Sequence, residues 1–137
     1  MSMTSSRRAL AVGWHLLVVV ACTAALTACG GDPVQEQWES REDLPSCGSI
    51  SLSQGEALEV AGEEQLACLE DALASGRGAE LTVTLLTTEG DPITEYRRVL
   101  PDGSTEVYVD STQDTFSDQR WGHGSCEKPE SALDVAC

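Results

Sequence analysis

ELTVTLLTTEGDPITEYRRVLPDGSTEVYVD, residues 80–110, decides the fold. Leu81, Val83 and Leu85 alternate with Thr82 and Thr84, a period of two that predicts a half-buried strand. A second strand is expected from about Ile93 to Leu100, ending at Pro101-Asp102-Gly103-Ser104. Proline presets φ and glycine tolerates positive φ, so that tetrapeptide reads as a tight turn. A third strand, Thr105 to Asp110, turns Val107 and Val109 inward, and a fourth is expected around Gln119 to Cys126. Strands joined by short turns pair as antiparallel neighbours, so these segments form a meander.

Working upstream, Glu63 to Ser75 reads as a helix. Glu63 and Glu64 sit at the positive end of its dipole, and Gly76 offers a left-handed stop. Leu66, Leu69, Ala72 and Leu73 form its apolar stripe, with Cys68 on the flank. Ile50 and Leu52 suggest a short strand before it. The expected fold is a small α+β domain over residues 47–137, one helix packed on an antiparallel meander of three to five strands, stapled by disulfides.

Hairpin turns alternate between the two ends of a meander. Glu89-Gly90-Asp91-Pro92 therefore closes one end, and the chain leaving the third strand at Asp110 returns to that end. Glu89, Gly90 and Asp91 are thus expected to meet Asp110, Asp114 and Asp118 of the segment DSTQDTFSD. A calcium ion takes about six to eight oxygens from such groups. The spacing of the three later aspartates is not that of an EF-hand loop, however. Asp91 and Asp110 capping backbone amides, with Gly90 at positive φ, is the plainer expectation; an edge that binds a partner is the other.

The N-terminal region reports location. Arg7 and Arg8 precede an apolar run from Ala9 to Ala28 free of acids, the order of a secretory signal over residues 1–28. A membrane span needs about 20 apolar residues, so length alone leaves a retained helix open. Leu26-Thr27-Ala28-Cys29 closely resembles the bacterial lipobox. That resemblance implies acylation of Cys29, which becomes the first residue of an exported protein anchored by its chains on the extracytoplasmic face of the cell membrane. Ser6-Arg7-Arg8 is similar to a twin-arginine signal but lacks the following aromatic, which favours ordinary export. Residues 29–46, with two prolines and many acids, read as a flexible acidic tether, Trp38 being either solvated or in light contact with the domain.

Loss of the leader removes two of the eight basic residues and none of the 23 acids, leaving the chain more negative than the −15 of the whole sequence. Such a field repels phosphate backbones, so nucleic acid is excluded as a partner. An envelope protein or a cell-wall component fits better, and acidity also serves solubility.

Removing Cys22 with the leader and Cys29 to the lipid leaves Cys47, Cys68, Cys126 and Cys137. Four cysteines outside the cytoplasm predict two disulfides. Three connectivities are possible; short loops favour Cys47–Cys68 and Cys126–Cys137. No two of these cysteines have the close spacing of a structural zinc site.

Enzyme readings find little footing. His123 and Ser125 in WGHGSC point the same way on an extended strand, which leaves a small hydrolase as a third reading. No nucleophile elbow or phosphate loop is present. A non-enzymatic binding domain without a cofactor other than its lipid comes first, and a calcium-stabilised module second.

Finally, TTEGDPITEY at 87–96, VYVDSTQDTF at 107–116 and the late Cys126 resemble a group of small secreted bacterial lipoproteins classed only as a domain of unknown function. Thr87, Glu89, Gly90, Asp91, Pro92, Ile93, Asp110, Asp114 and Phe116 carry the resemblance over roughly residues 80–126. It implies export and this fold, and assigns no activity.

Overall fold

Alternating β-branched and aliphatic residues in the middle of the chain produce the expected meander. The computed structural model describes residues 30–137; the expected leader, residues 1–28, and Cys29 lie outside them. The elements are α1 (Pro33–Glu39), β1 (Ser46–Leu52), α2 (Leu58–Ala61), α3 (Glu63–Ser75), β2 (Ala79–Leu86), β3 (Pro92–Val99), β4 (Thr105–Asp110) and β5 (Trp121–Cys126). They build one five-stranded sheet in the order β1-β2-β3-β4-β5. β2 to β5 pair antiparallel.

β1 departs from the expected pattern. It runs parallel to β2, with Ile50 opposite Val83 and Leu52 opposite Leu85. The reason is the connection: a helical crossover returns the chain to the end where β1 began, so the next strand repeats its direction. The helix count also differs. α3 occupies the expected span, but α1 and α2 join it; both are too short for a 3.6-residue periodicity to stand out.

α3 packs on one face of the sheet. Leu69 and Ala72 meet Ala79, Leu81, Val83 and Val99, with Leu52, Leu58 and Ala132 completing the core. Leu69 and Leu81 are fully buried, each contributing roughly 1.5–3 kcal/mol by leaving water. The helix stops at Gly76, φ 63°. There Arg77 N–H donates to Ala72 C=O and Gly76 N–H to Leu73 C=O, the paired bonds of a Schellman end. α2 turns into α3 at Gly62, where a Cβ would come within 2.6 Å of Leu58 Cδ1 and 3.0 Å of Leu58 O, so a larger residue would displace the Leu58 side chain.

The cysteines pair as Cys47–Cys68 and Cys126–Cys137. The first ties β1 to α3; each contributes on the order of 2–4 kcal/mol. The second folds the C-terminal segment onto the core, where Ala132 is buried and its N–H donates to Glu70 Oε1 at 2.9 Å. The Asp134 carboxylate accepts from the amides of Glu130 and Ser131. Gly124 permits the approach, since a Cβ there would lie 2.9 Å from Val135 O.

Both sheet edges are modified. β1 carries a register shift between Ser46 and Ser49, with Gly48 at φ 100°. On β5, Trp121 N–H donates to Asp32 Oδ2 and Ser125 C=O accepts from Cys137 N–H.

Candidate functional site

The face of the sheet opposite α3 holds the chemistry. Strand pairing places Glu80, Arg98, Glu106 and Ser125 in one row across it, and Thr82, Tyr96, Tyr108 and His123 in the next. Asp110 and Trp121 follow toward the end of the sheet. Over this surface runs the stretch expected to be a tether. It is instead a helical strap, and the correction has a clear local cause. Asp32 caps α1 by accepting from Val34 N–H at 2.9 Å, and Pro33 opens it, where a missing N–H costs nothing.

Trp38 fastens the strap. Its ring stacks on Tyr96 at 3.9 Å between centroids and approaches Tyr108 and Trp121, while the Arg41 guanidinium lies 3.1 Å from its centroid. Aromatic pairs at such separations contribute about 0.5–1.5 kcal/mol beyond burial, and a cation over tryptophan adds to that. Partial burial raises the phenol pKa of Tyr96 and of Tyr108 above the ordinary value; the neighbouring Glu106 carboxylate pushes Tyr108 the same way.

Under the strap lies an ion network. Arg98, only 4% exposed, donates to Glu80 at 3.1 Å, to Glu106, and to the Glu42 carbonyl at 2.6 Å. Glu80 is held from its other side by Arg41 at 3.1 Å. His123 Nε2 lies 3.1 Å from Glu106 Oε2, its side chain 29% exposed. A buried guanidinium is tolerable only when its donors are matched in this way. The Glu42 contact also fixes the loop between α1 and β1.

The two acidic turns meet as the meander requires. Thr115 N–H donates to Asp91 Oδ2 at 2.8 Å. Thr87 closes the β2–β3 turn through Asp91, with Gly90 at φ 91°. Asp110 Oδ1 accepts from the amide and hydroxyl of Thr112, and Asp114 Oδ1 from Phe116 N–H. Glu89 is exposed, and Asp118 pairs with Arg120 at the surface. These aspartates order backbone. Among the described residues, no group of three or more His, Cys, Asp or Glu is arranged to hold a metal ion.

His123 and Ser125 do share a face of β5, but the bond recorded for the imidazole goes to Glu106. On the helical side, a cleft of about 340 Å³ is lined by the aliphatic Leu52, Leu58, Val83, Leu85 and Leu133 and by the charged Glu56, Glu59, Glu95 and Arg97, the last two paired at 2.8 Å. Among the described residues no helix is long and apolar enough to cross a membrane.

The strap, the rings and the ion network were missed from the sequence. One signal was available: Asp32-Pro33 followed by Gln35 is a helix start, and Trp38 three residues further is a large apolar group in a polar stretch. Compared with protein-family profiles, curated proteins and solved structures, the chain matches none.

Proposed function

We propose that the chain is a lipid-anchored, non-enzymatic binding domain of the bacterial cell envelope, held to the extracytoplasmic face of the membrane through Cys29 and presenting its acidic turns to an envelope protein or cell-wall component. The observation that carries the reading is Leu26-Thr27-Ala28-Cys29 closing an apolar run that follows Arg7 and Arg8. Two support it. Four cysteines close in pairs, as suits an oxidising compartment. The net charge of −15 suits a basic partner better than an anionic polymer. The resemblance of residues 80–126 to small secreted lipoproteins points the same way.

Two measurements test it. The intact mass of the protein purified from membranes should exceed that of residues 29–137 by its acyl chains; a mass equal to the unprocessed chain overturns the anchor. Cross-linking in intact cells should recover a defined envelope component with the wild-type domain and lose it when Glu89, Asp114 and Asp118 are replaced by Asn or Gln. Recovery of the domain alone, under conditions that capture other envelope complexes, overturns the binding role.

A further inference from the structure

We infer that the end of the sheet carrying the β2–β3 and β4–β5 turns rests on a zwitterionic lipid surface, with Phe116, Leu86 and Val60 as its contacts, so that the domain stands on the bilayer in one orientation. The inference rests on acylation of Cys29. Asp32 is fixed to the sheet by Trp121 N–H and to α1 by Val34 N–H, each at 2.9 Å. Only Gly30 and Gly31 separate it from Cys29, so the two Cα atoms stay within about 11 Å. That reach barely exceeds the polar layer of one leaflet, about 5–8 Å. A flexible segment over 29–46 would instead let the domain range over tens of ångströms, on the order of its contour length.

The anchor therefore selects an end of the sheet. Trp121 begins β5 opposite Asp110, the last residue of β4; Leu86 ends β2 opposite Pro92; Leu52, opposite Leu85, ends β1. All lie at that one end. Among the described residues the large apolar side chains left exposed are Phe116 at 77%, Val60 at 81% and Leu86 at 46%. Phe116 is in the β4–β5 turn, Leu86 closes β2, and Val60 is on α2, whose Leu58 shares a cleft with Leu52 and Leu85. The Pro101–Ser104 turn at the far end has no such side chain. Exposed apolar groups that gather where a chain meets lipid have a surface to enter. Tethering makes the contact intramolecular, so a few side chains suffice. Glu89, Asp114 and Asp118 at the same end disfavour anionic headgroups, which selects a zwitterionic surface, and the partner proposed for these acids is then one that meets them at the membrane surface itself.

The test uses the full-length protein from membranes in phosphatidylcholine nanodiscs containing a nitroxide-headgroup lipid, read by amide NMR. Phe116, Leu86 and Val60 should lose signal several-fold more than Gly103. Equal losses, or a greater loss at Gly103, overturn the inference. Phe116→Ser with Val60→Ser should level the difference; an unchanged gradient rules out apolar contact. Phosphatidylglycerol in place of part of the phosphatidylcholine should weaken the gradient, and a steeper one makes the stated surface wrong. The intact mass of the same sample separates the two readings. An acylated protein without a gradient refutes the orientation alone, whereas an unacylated protein refutes the anchor and the orientation with it.

Discussion

The two faces of the sheet are covered by different means. On one, the thirteen-residue α3 buries aliphatic groups against Leu81, Val83 and Val99, a non-directional attraction proportional to area. On the other, a seven-residue helix lies over rings and charges, where angle and partner matter. Aromatic residues follow the division: Trp38, Tyr96, Tyr108 and Trp121 all belong to the second face. The aliphatic face tolerates loss in proportion to volume. The ionic face tolerates almost none at its centre, because removing one charge strands another.

That contrast sets the order of mutational effects. Arg98→Met leaves Glu80 and Glu106 facing each other without the guanidinium between them, and should cost about 3–5 kcal/mol in urea unfolding. Adding Glu106→Gln should recover part of the loss; no recovery would mean that packing, not charge, sets the cost. Leu69→Ala on the opposite face should cost about 3 kcal/mol through lost transfer and a residual cavity, with no coupling to Arg98→Met in a double-mutant cycle. Trp38→Ala, removing a partly exposed ring, should cost about 2 kcal/mol, below the range for a fully buried tryptophan. Tryptic cleavage at Arg41 should also quicken as the strap opens; an unchanged rate would show that the ion network alone holds it.

The smallest expected effect is titration of the strap. The Trp121 amide bonded to Asp32, aided by the amides of Val34 and Gln35, holds its carboxyl below the ordinary 3.8. A depressed carboxyl stabilises the fold fully above its unfolded value and loses that contribution as pH falls through the folded one. Tryptophan fluorescence should therefore change as α1 loosens below about pH 3.8, the ordinary value of the group. Asp32→Asn should remove that step, and its persistence in the variant would assign it to another group.

The aliphatic face was legible because its signal repeats. Leu81, Val83 and Leu85 keep a period of two, Leu69 and Ala72 a helical one, and Pro101 to Ser104 a turn. The ionic face was not, because its members are distributed over four strands and a strap. Glu80, Arg98 and Glu106 each look like ordinary solvent-facing residues in their own strands, and only the register joins them. The parallel pairing of β1 was hidden likewise, since direction is set by the crossover and not by residues 46–52. Within the acidic turns the meeting of Asp91 with the 110–118 segment followed from connectivity, which needs no side-chain detail.

The treatment of the sheet borders bears on self-association. Every sheet that does not close into a barrel exposes two rows of backbone groups on which another copy can grow a strand. Here the outward amide at the start of β5 is taken by Asp32 and the outward carbonyl near its end by Cys137. The bend at Gly48 breaks the straight run that β1 would otherwise offer. Copies of this domain crowded together thus have no uninterrupted template for ribbon growth, and reduction of Cys126–Cys137 is the treatment that would free one.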